Sequence, residues 1–277
     1  MSTIKLEEKK EKLNNMLLEI TRQDVMVAYS GGVDSALLAA MLAMAASVNH
    51  TRVLAVTAAT RLHPVNELAE AKRVAKELSV EHRVVAVDEL SEAGIGKNPP
   101  DRCYLCKRCI YERMLALAKE ERLAVLLDGT NASDWREYRP GLKALQELKI
   151  ISPFAECGLE KEEIRALAQE YHISVAHKPA SPCMATRFPY GVELSYEAMQ
   201  QAAKAEQFVR GKGFYNVRVR VYNNLVRLEV DETDMPRLLS KKQEITEELK
   251  NLGYTYITLD LEGFRSGSMD YDLGFQY

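Results

Sequence analysis

The sequence predicts an α/β protein: a larger N-terminal half built on a parallel sheet, followed by a smaller α+β module. Three observations lead there. Short aliphatic segments alternate with helical patterns through most of the chain, as in βαβ units. A glycine turn stands between the first aliphatic segment and the helix after it. Near the C-terminus the alternation gives way to a helix, two strands, a helix and a strand.

The opening segment, MSTIKLEEKKEKLNNMLLEI, sets Ile4, Leu13, Leu17 and Leu18 among charges in a helical rhythm. It lacks the basic start, apolar core and cleavage site of a secretory signal, so a cytoplasmic location is expected. DVMVAYS is the first strand and SALLAAMLAMAASV the helix behind it. That helix is part of the longest apolar run, which is too short to cross a bilayer, so no membrane segment is expected. RVLAVTAAT, HRVVAVDEL, LAVLLDGTN and IISPFAE continue the strands; VNELAEAKRVAKELS, CIYERMLALAKEE and GLKALQEL are the helices between them. Strands this uniformly apolar belong to a sheet covered on both faces. EKEEIRALAQEYHI closes the half as a further helix.

AHKPASPCMATRFPYGVEL holds three prolines and one glycine without a helical or strand period, and reads as a loop and hinge. It divides the chain into domains at 1–180 and 181–277. In the second, YEAMQQAAKAEQFVRGKG is a helix and NVRVRVYNNLVRLEV a hairpin turning at Asn223-Asn224. TDMPRLLSKKQEITEELKNLG is a helix and YTYITLDLEGF a strand.

A chain of 277 residues with 47% hydrophobic content buries a core without disulfide staples. Its 37 basic and 40 acidic residues give a net charge of −3, with no global pull on a polyanion, so nucleic acid is not an expected partner. In a reducing compartment its five cysteines are metal ligands or catalytic thiols before they are disulfides.

The first candidate site is AYSGGVDSALL. Gly31 and Gly32 let the backbone turn and present amides inward, and the following helix adds the positive end of its dipole, making a phosphate cradle. Ser30 and Ser35 offer hydroxyls, and Asp34 either holds Mg²⁺ or caps the helix. The loop is shorter than a Walker loop and has no lysine. SGGxDS after the first strand resembles the PP-loop ATP pyrophosphatases, of the adenine nucleotide alpha hydrolase-like (HUP) fold. The resemblance implies ATP with Mg²⁺, cut to AMP and pyrophosphate while a substrate oxygen is adenylated. Gly129 and Asn131 of DGTN fit the same family, at the carboxyl ends of the strands where open sheets place ligands.

The second candidate is PPDRCYLCKRC. Cys103 and Cys106, at a helix start, can turn two thiolates toward one centre. Cys109 is either a third ligand or a packed small hydrophobe. Cys183 stands in SPCMATRFPYG with Arg187 four residues later, an electropositive setting that favours a thiolate. Cys157 receives no role.

SGGVDS, DGTNASDWREYRPGLKAL, CMATRFPYG, VRVRVYNNLVRLEV and YITLDLEGFRSGSMD together resemble, over essentially the full chain, the LarE family. These are sulfurtransferases that make the nickel-pincer nucleotide cofactor of lactate racemase. The resemblance implies a small mononucleotide substrate, pyridinium-3,5-biscarboxylic acid mononucleotide, whose carboxylates are adenylated and converted to thiocarboxylates. In one branch the cysteine matching Cys183 surrenders its own sulfur, and the positions matching Cys103 and Cys106 are not cysteines. This chain is similar instead to members in which three cysteines bind a 4Fe-4S cluster, and the ligands carried over are Cys103, Cys106 and Cys183. Three thiolates leave one iron open to hydrosulfide, supplied as inorganic sulfide or by a sulfur-donor protein. Sacrificial transfer from Cys183 remains an alternative, as does a tRNA-thiolating PP-loop enzyme, some of which carry a three-cysteine cluster. Family members form hexamers, which implies a homo-oligomer.

In NVRVRV, Val217, Val219 and Val221 take one strand face and Arg218 and Arg220 the other. The arginines either clamp a phosphate or form a solvated face, with Glu229 and Arg227 pairing across the hairpin. With the family, Arg218, Arg220 and Arg265 of GFRSG are expected at the mononucleotide phosphate, and Arg187 among the substrate-binding residues. Asp134 and Arg139 face the pyridinium ring or its activated carboxylate, or form a loop ion pair. His63, His82, His172 and His177 show no ligand spacing and read as surface or helix-end residues. Trp135 packs or stacks.

Overall fold

The structure, a computed structural model, describes residues 3–63, 66–136, 139–179, 182–265 and 267–270. The chain forms two compact units. The first comprises Met1–Thr60, Val65–Ala93 and Asp101–Ser181; the second comprises Arg61–Pro64, Gly94–Pro100 and Pro182–Tyr277. The expected domain boundary at 180 and 181 falls on two residues outside the described set.

In the first unit the apolar segments form β1 (Val25–Ala28), β2 (Val53–Ala59), β3 (Glu81–Ala86) and β4 (Val125–Leu127). They make a four-stranded parallel sheet in the order β3-β2-β1-β4. Both faces of its centre are covered. Val25, Val27, Val53 and Ala55 pack with α1 (Thr3–Ile20), α2 (Val33–Asn49), α3 (Asn66–Glu77) and residues of a later helix, while Met26, Leu54 and Val56 pack on the opposite side. That second layer is built from α5 (Arg102–Glu120) and α6 (Gly141–Glu147); the short α4 (Glu89–Glu92) precedes them. IISPFAE, expected as a fifth strand, reduces to one parallel bridge between Leu127 and Ile151. Pro153 opens α7 (Pro153–Glu156) immediately afterwards, because proline at a first helical position suits a helix and cannot donate to a ladder. α8 (Lys161–Glu170) follows, its start held by a reciprocal capping box between Glu160 and Glu163.

The second unit contains α9 (Tyr196–Gly211), whose Ser195 side chain accepts from Ala198 N–H as its N-cap. β5 (Val217–Tyr222), β6 (Leu225–Val230) and β7 (Tyr256–Leu259) form a sheet in which β5 and β6 are antiparallel and β6 and β7 parallel. Asn223 turns the hairpin with φ 56°. The single helix expected from TDMPRLLSKKQEITEELKNLG is two, α10 (Met235–Ser240) and α11 (Lys242–Asn251), parted at Lys241. Two segments from earlier in the chain join this unit by hydrogen bonds. Met184 N–H donates to the Leu62 carbonyl (2.8 Å), and the Asn98 carboxamide donates to the carbonyls of Phe188 (3.0 Å) and Pro189 (2.7 Å). Among the described residues no helix is long and apolar enough to cross a membrane.

Candidate functional site

The phosphate loop lies between β1 and α2. Gly31 adopts φ 72°, and an added Cβ would lie 2.6 Å from Ala71 Cα of α3, so only glycine fits. Ser30 and Ser35 lock the turn: Ser35 Oγ receives the Ser30 N–H (3.1 Å) and donates to the Gly32 carbonyl (3.2 Å). Gly32 is the N-cap, and the first amides of α2 have no intrahelical acceptor, which leaves them for an anion. Gly129 follows β4 on the DGTN loop, where an added Cβ would meet Ser35 N at 3.0 Å and Asp34 C at 3.1 Å. The two loops touch backbone to backbone because position 129 has no side chain.

Asp34 is not the helix cap; it lies inside the first turn of α2. Its Oδ1 accepts from the Asn131 carboxamide (3.3 Å), and its Oδ2 is ion-paired with Lys161 Nζ. Asn131 in turn accepts the Asp134 N–H through Oδ1 (3.1 Å), and Asp134 accepts the Asn131 N–H (3.0 Å). Asp134 also pairs with Arg139 at 2.7 Å, so these two residues form the loop ion pair. Trp135, beside them, is 42% exposed.

Behind the DGTN loop Asp128 is buried and saturated. It accepts from the hydroxyls of Thr130 (2.6 Å), Ser152 (2.6 Å) and Tyr111 (3.1 Å), and from the Thr130 N–H (3.2 Å). Lys107 of α5 stands 3.8 Å from it. Burial lowers the Lys107 pKa against the opposing pull of Asp128, Asp134 and Cys103.

Cys103 and Cys106 are three residues apart at the start of α5, the first exposed and the second partly so. They offer two thiols at adjacent positions on one helix surface, which fits the donor chemistry of an iron–sulfur centre. Burial raises the thiol pKa of Cys109, and more deeply buried Cys157 is raised likewise and touches Met16 Sδ at 3.9 Å. Cys183, the remaining thiol of the expected ligand set, belongs to the second unit, where it precedes a short 3-10 turn over Met184–Arg187. Among the described residues no group of three His, Cys, Asp or Glu side chains forms a metal site.

In the second unit the arginines divide by partner. Arg187 is 2% exposed and is held by Glu206 through Nε (2.6 Å) and Nη2 (3.0 Å). Its charge is therefore answered by a carboxylate, and it reaches Cys183 through that residue's carbonyl (3.5 Å). Arg220 is buried too, with Nε and Nη2 on Glu229 at 3.0 and 2.8 Å and further bonds to Ser268 and the Thr186 carbonyl. Arg265 pairs with Asp260 and Glu262. Arg218 differs. Among the described residues it pairs with no carboxylate; it donates to the Val217 carbonyl (2.8 Å) and lies 4.9 Å from the Phe264 ring. Its pKa is pushed down to about 10 by burial and by the charges of Arg187, Arg220 and Arg210, so it stays cationic at neutral pH.

The arginine strand is thus no solvated face. The pairing partner expected across the hairpin, Glu229, binds Arg220 as well as Arg227. His82 is not a surface residue either: it lies within β3, half-buried, with Nε2 2.8 Å from the Thr57 hydroxyl. Thr57 donates to the Tyr29 carbonyl (2.6 Å), so the His82 Nε2–H tautomer completes the chain. Sequence reading missed Lys161 and Glu206. Neither stands in a motif, and each meets its partner only through the fold.

The PP-loop domain family matches residues 5–139. The pyridinium-3,5-bisthiocarboxylic acid mononucleotide synthase of Lactiplantibacillus plantarum is 39% identical over 90% of this chain and 89% of its own length. A Synechocystis protein described only as uncharacterized is 35% identical over 96% of this chain and 98% of its own. A Methanocaldococcus jannaschii protein described in the same way is 32% identical over 91% and 95%. With the glycine-built cradle at the end of β1 and near-complete alignment to that synthase, the chain is a member of the LarE family of PP-loop enzymes.

Proposed function

We propose that this enzyme uses ATP to adenylate the carboxylates of pyridinium-3,5-biscarboxylic acid mononucleotide and exchanges the activated oxygen for sulfur. The observation that carries the reading is the near full-length similarity to the synthase named for the bisthiocarboxylic product, joined to the loop geometry of Ser30, Gly31, Gly32, Asp34, Ser35 and Gly129. The amides of α2 and the two serine hydroxyls receive the triphosphate, accompanied by Mg²⁺. A substrate carboxylate oxygen attacks the α-phosphorus, pyrophosphate leaves, and an acyl adenylate forms. Hydrosulfide then attacks the acyl carbon; the bond to AMP breaks, AMP departs with the electron pair, and the thioacid loses its proton to give a thiocarboxylate.

The sulfur is proposed to come from a 4Fe-4S cluster on Cys103, Cys106 and Cys183. When bound, such a cluster supplies an iron without a protein ligand at which hydrosulfide is held. Supporting this are two thiols one turn apart at the solvent-reaching start of α5 and a third in the CMATRFPYG segment. Arg218 is the best-founded binder of the substrate phosphate, since it alone of the expected arginines forms no ion pair with a carboxylate among the described residues. The remainder of the expected set, Arg187, Arg220 and Arg265, shapes the site through its acidic partners.

Anaerobic reconstitution with iron and sulfide, followed by metal analysis and turnover with mononucleotide, ATP and sulfide, tests the proposal. Repeated turnover is expected, lost in Cys103→Ala and Cys106→Ala along with the iron. Single turnover that persists in those variants and leaves the protein lighter by one H₂S would assign the sulfur to Cys183 itself.

A further inference from the structure

The loop SGGVDS brings no lysine of its own, so its local field rests on amide dipoles alone. The fold supplies a cation from a distant segment. Lys161 Nζ pairs with Asp34 Oδ2 across a separation of 127 residues.

Its backbone is held by the elements around it. Lys161 is the first residue of α8, and its N–H donates to Ser133 Oγ (3.1 Å). Two residues before it, the Leu159 carbonyl accepts from Ala132 N–H (2.8 Å), so the segment continuing from DGTN fixes where α8 begins. Ile164 and Leu167 of α8 share a core with Leu37 and Leu38 of α2. The start of α8 is thereby docked beside the start of α2.

Asp34 is occupied at both oxygens, by Asn131 and by Lys161. A carboxylate engaged in this way fixes the position of the ammonium. Lys161 is 37% exposed, so the pair adds little to stability; what it does is place a positive charge where anions meet α2.

We propose that Lys161 is the phosphate-binding lysine of this loop, directed by Asp34 toward the pyrophosphate portion of a nucleoside triphosphate on the first turn of α2. The inference rests on the ATP reading above and deepens it. An ammonium is a compact point charge suited to that task, and it also offsets the charge that builds on departing pyrophosphate. Asp34 is then a positioning residue.

Calorimetric titration of the full chain with Mg-ATP, AMP and inorganic pyrophosphate tests this. Lys161→Ala is expected to weaken ATP and pyrophosphate by about tenfold or more, the scale of a lost charge-assisted contact, while AMP changes by less than about twofold. Lys161→Arg should recover part of the loss. Asp34→Asn should weaken pyrophosphate in the wild-type background and have little further effect in Lys161→Ala, since both act through one ammonium. Unchanged pyrophosphate affinity in a folded Lys161→Ala would overturn the inference and leave the ATP reading standing. So would an Asp34→Asn effect that is undiminished in Lys161→Ala, which would return Asp34 to magnesium. A wild-type chain that binds neither ATP nor pyrophosphate would bring down the ATP reading and this inference together.

Discussion

The two units treat charge in opposite ways. At the phosphate loop of the first, Asp34 and Lys161 reach solvent and the first-turn amides of α2 have no intrahelical acceptor, so the positive end of the helix faces outward. In the second, Arg187, Arg220, Glu206 and Glu229 are buried and answer one another with paired hydrogen bonds, whereas Arg218 has no carboxylate partner among the described residues. Arginines close together in sequence are therefore held differently: Arg187 and Arg220 are locked onto buried carboxylates, while Arg218 forms no ion pair with a carboxylate among the described residues.

The largest effect expected from this contrast is on stability. Glu206→Ala strips Arg187 and Arg210 of their shared carboxylate and leaves a buried guanidinium uncompensated, a loss on the order of 3–5 kcal/mol readable by urea unfolding. A change below about 1 kcal/mol would mean that the second unit's charges are not framework. Next comes Gly129→Ala, whose methyl collides with the backbone of Asp34 and Ser35. It should cost about 1–3 kcal/mol and reduce ATP affinity, because the collision pushes the DGTN loop from the cradle. Arg218→Ala sharpens the comparison from the other side. Stability should change by less than about 1 kcal/mol while mononucleotide affinity falls about tenfold or more. Arg220→Ala should reverse that order by removing the two-point partner of buried Glu229, which keeps only Arg227 and Ser268.

The smallest effect is a pH dependence. Burial, with Lys72 nearby, lowers the His82 pKa below its ordinary value of about 6.5. Below that value the unfolded chain takes up a proton that the folded chain resists, so stability falls as pH drops toward the lowered pKa. His82→Gln should flatten that part of an unfolding-versus-pH curve between pH 7 and pH 5.

Much of the fold was legible because it rests on local patterns. The apolar strands, the helices between them and SGGVDS all announce themselves within a few residues. IISPFAE misled because β-type residues carry no information about how soon Pro153 ends the pairing. The KKQ stretch in the second unit hid a break at Lys241, since charged residues continue a helical pattern as readily as they interrupt one. Site chemistry was legible where the motif is contiguous and opaque where charge is balanced across the fold. Glu206 reads as one more polar position on α9, and only packing shows it 1% exposed beneath Arg187. Lys161 reads as the polar start of a helix, and its meeting with Asp34 depends on how α8 docks. His82 sits in a strand whose alternation gave no sign of the hydrogen bond to Thr57.

The most direct test of the account is pyrophosphate release measured with the anaerobically prepared enzyme, ATP and sulfide, with the acceptor varied. Release that depends on pyridinium-3,5-biscarboxylic acid mononucleotide, with AMP formed and sulfur replacing oxygen in the acceptor by mass, is the expected result. Release that ignores the mononucleotide and begins only when tRNA is added would contradict it.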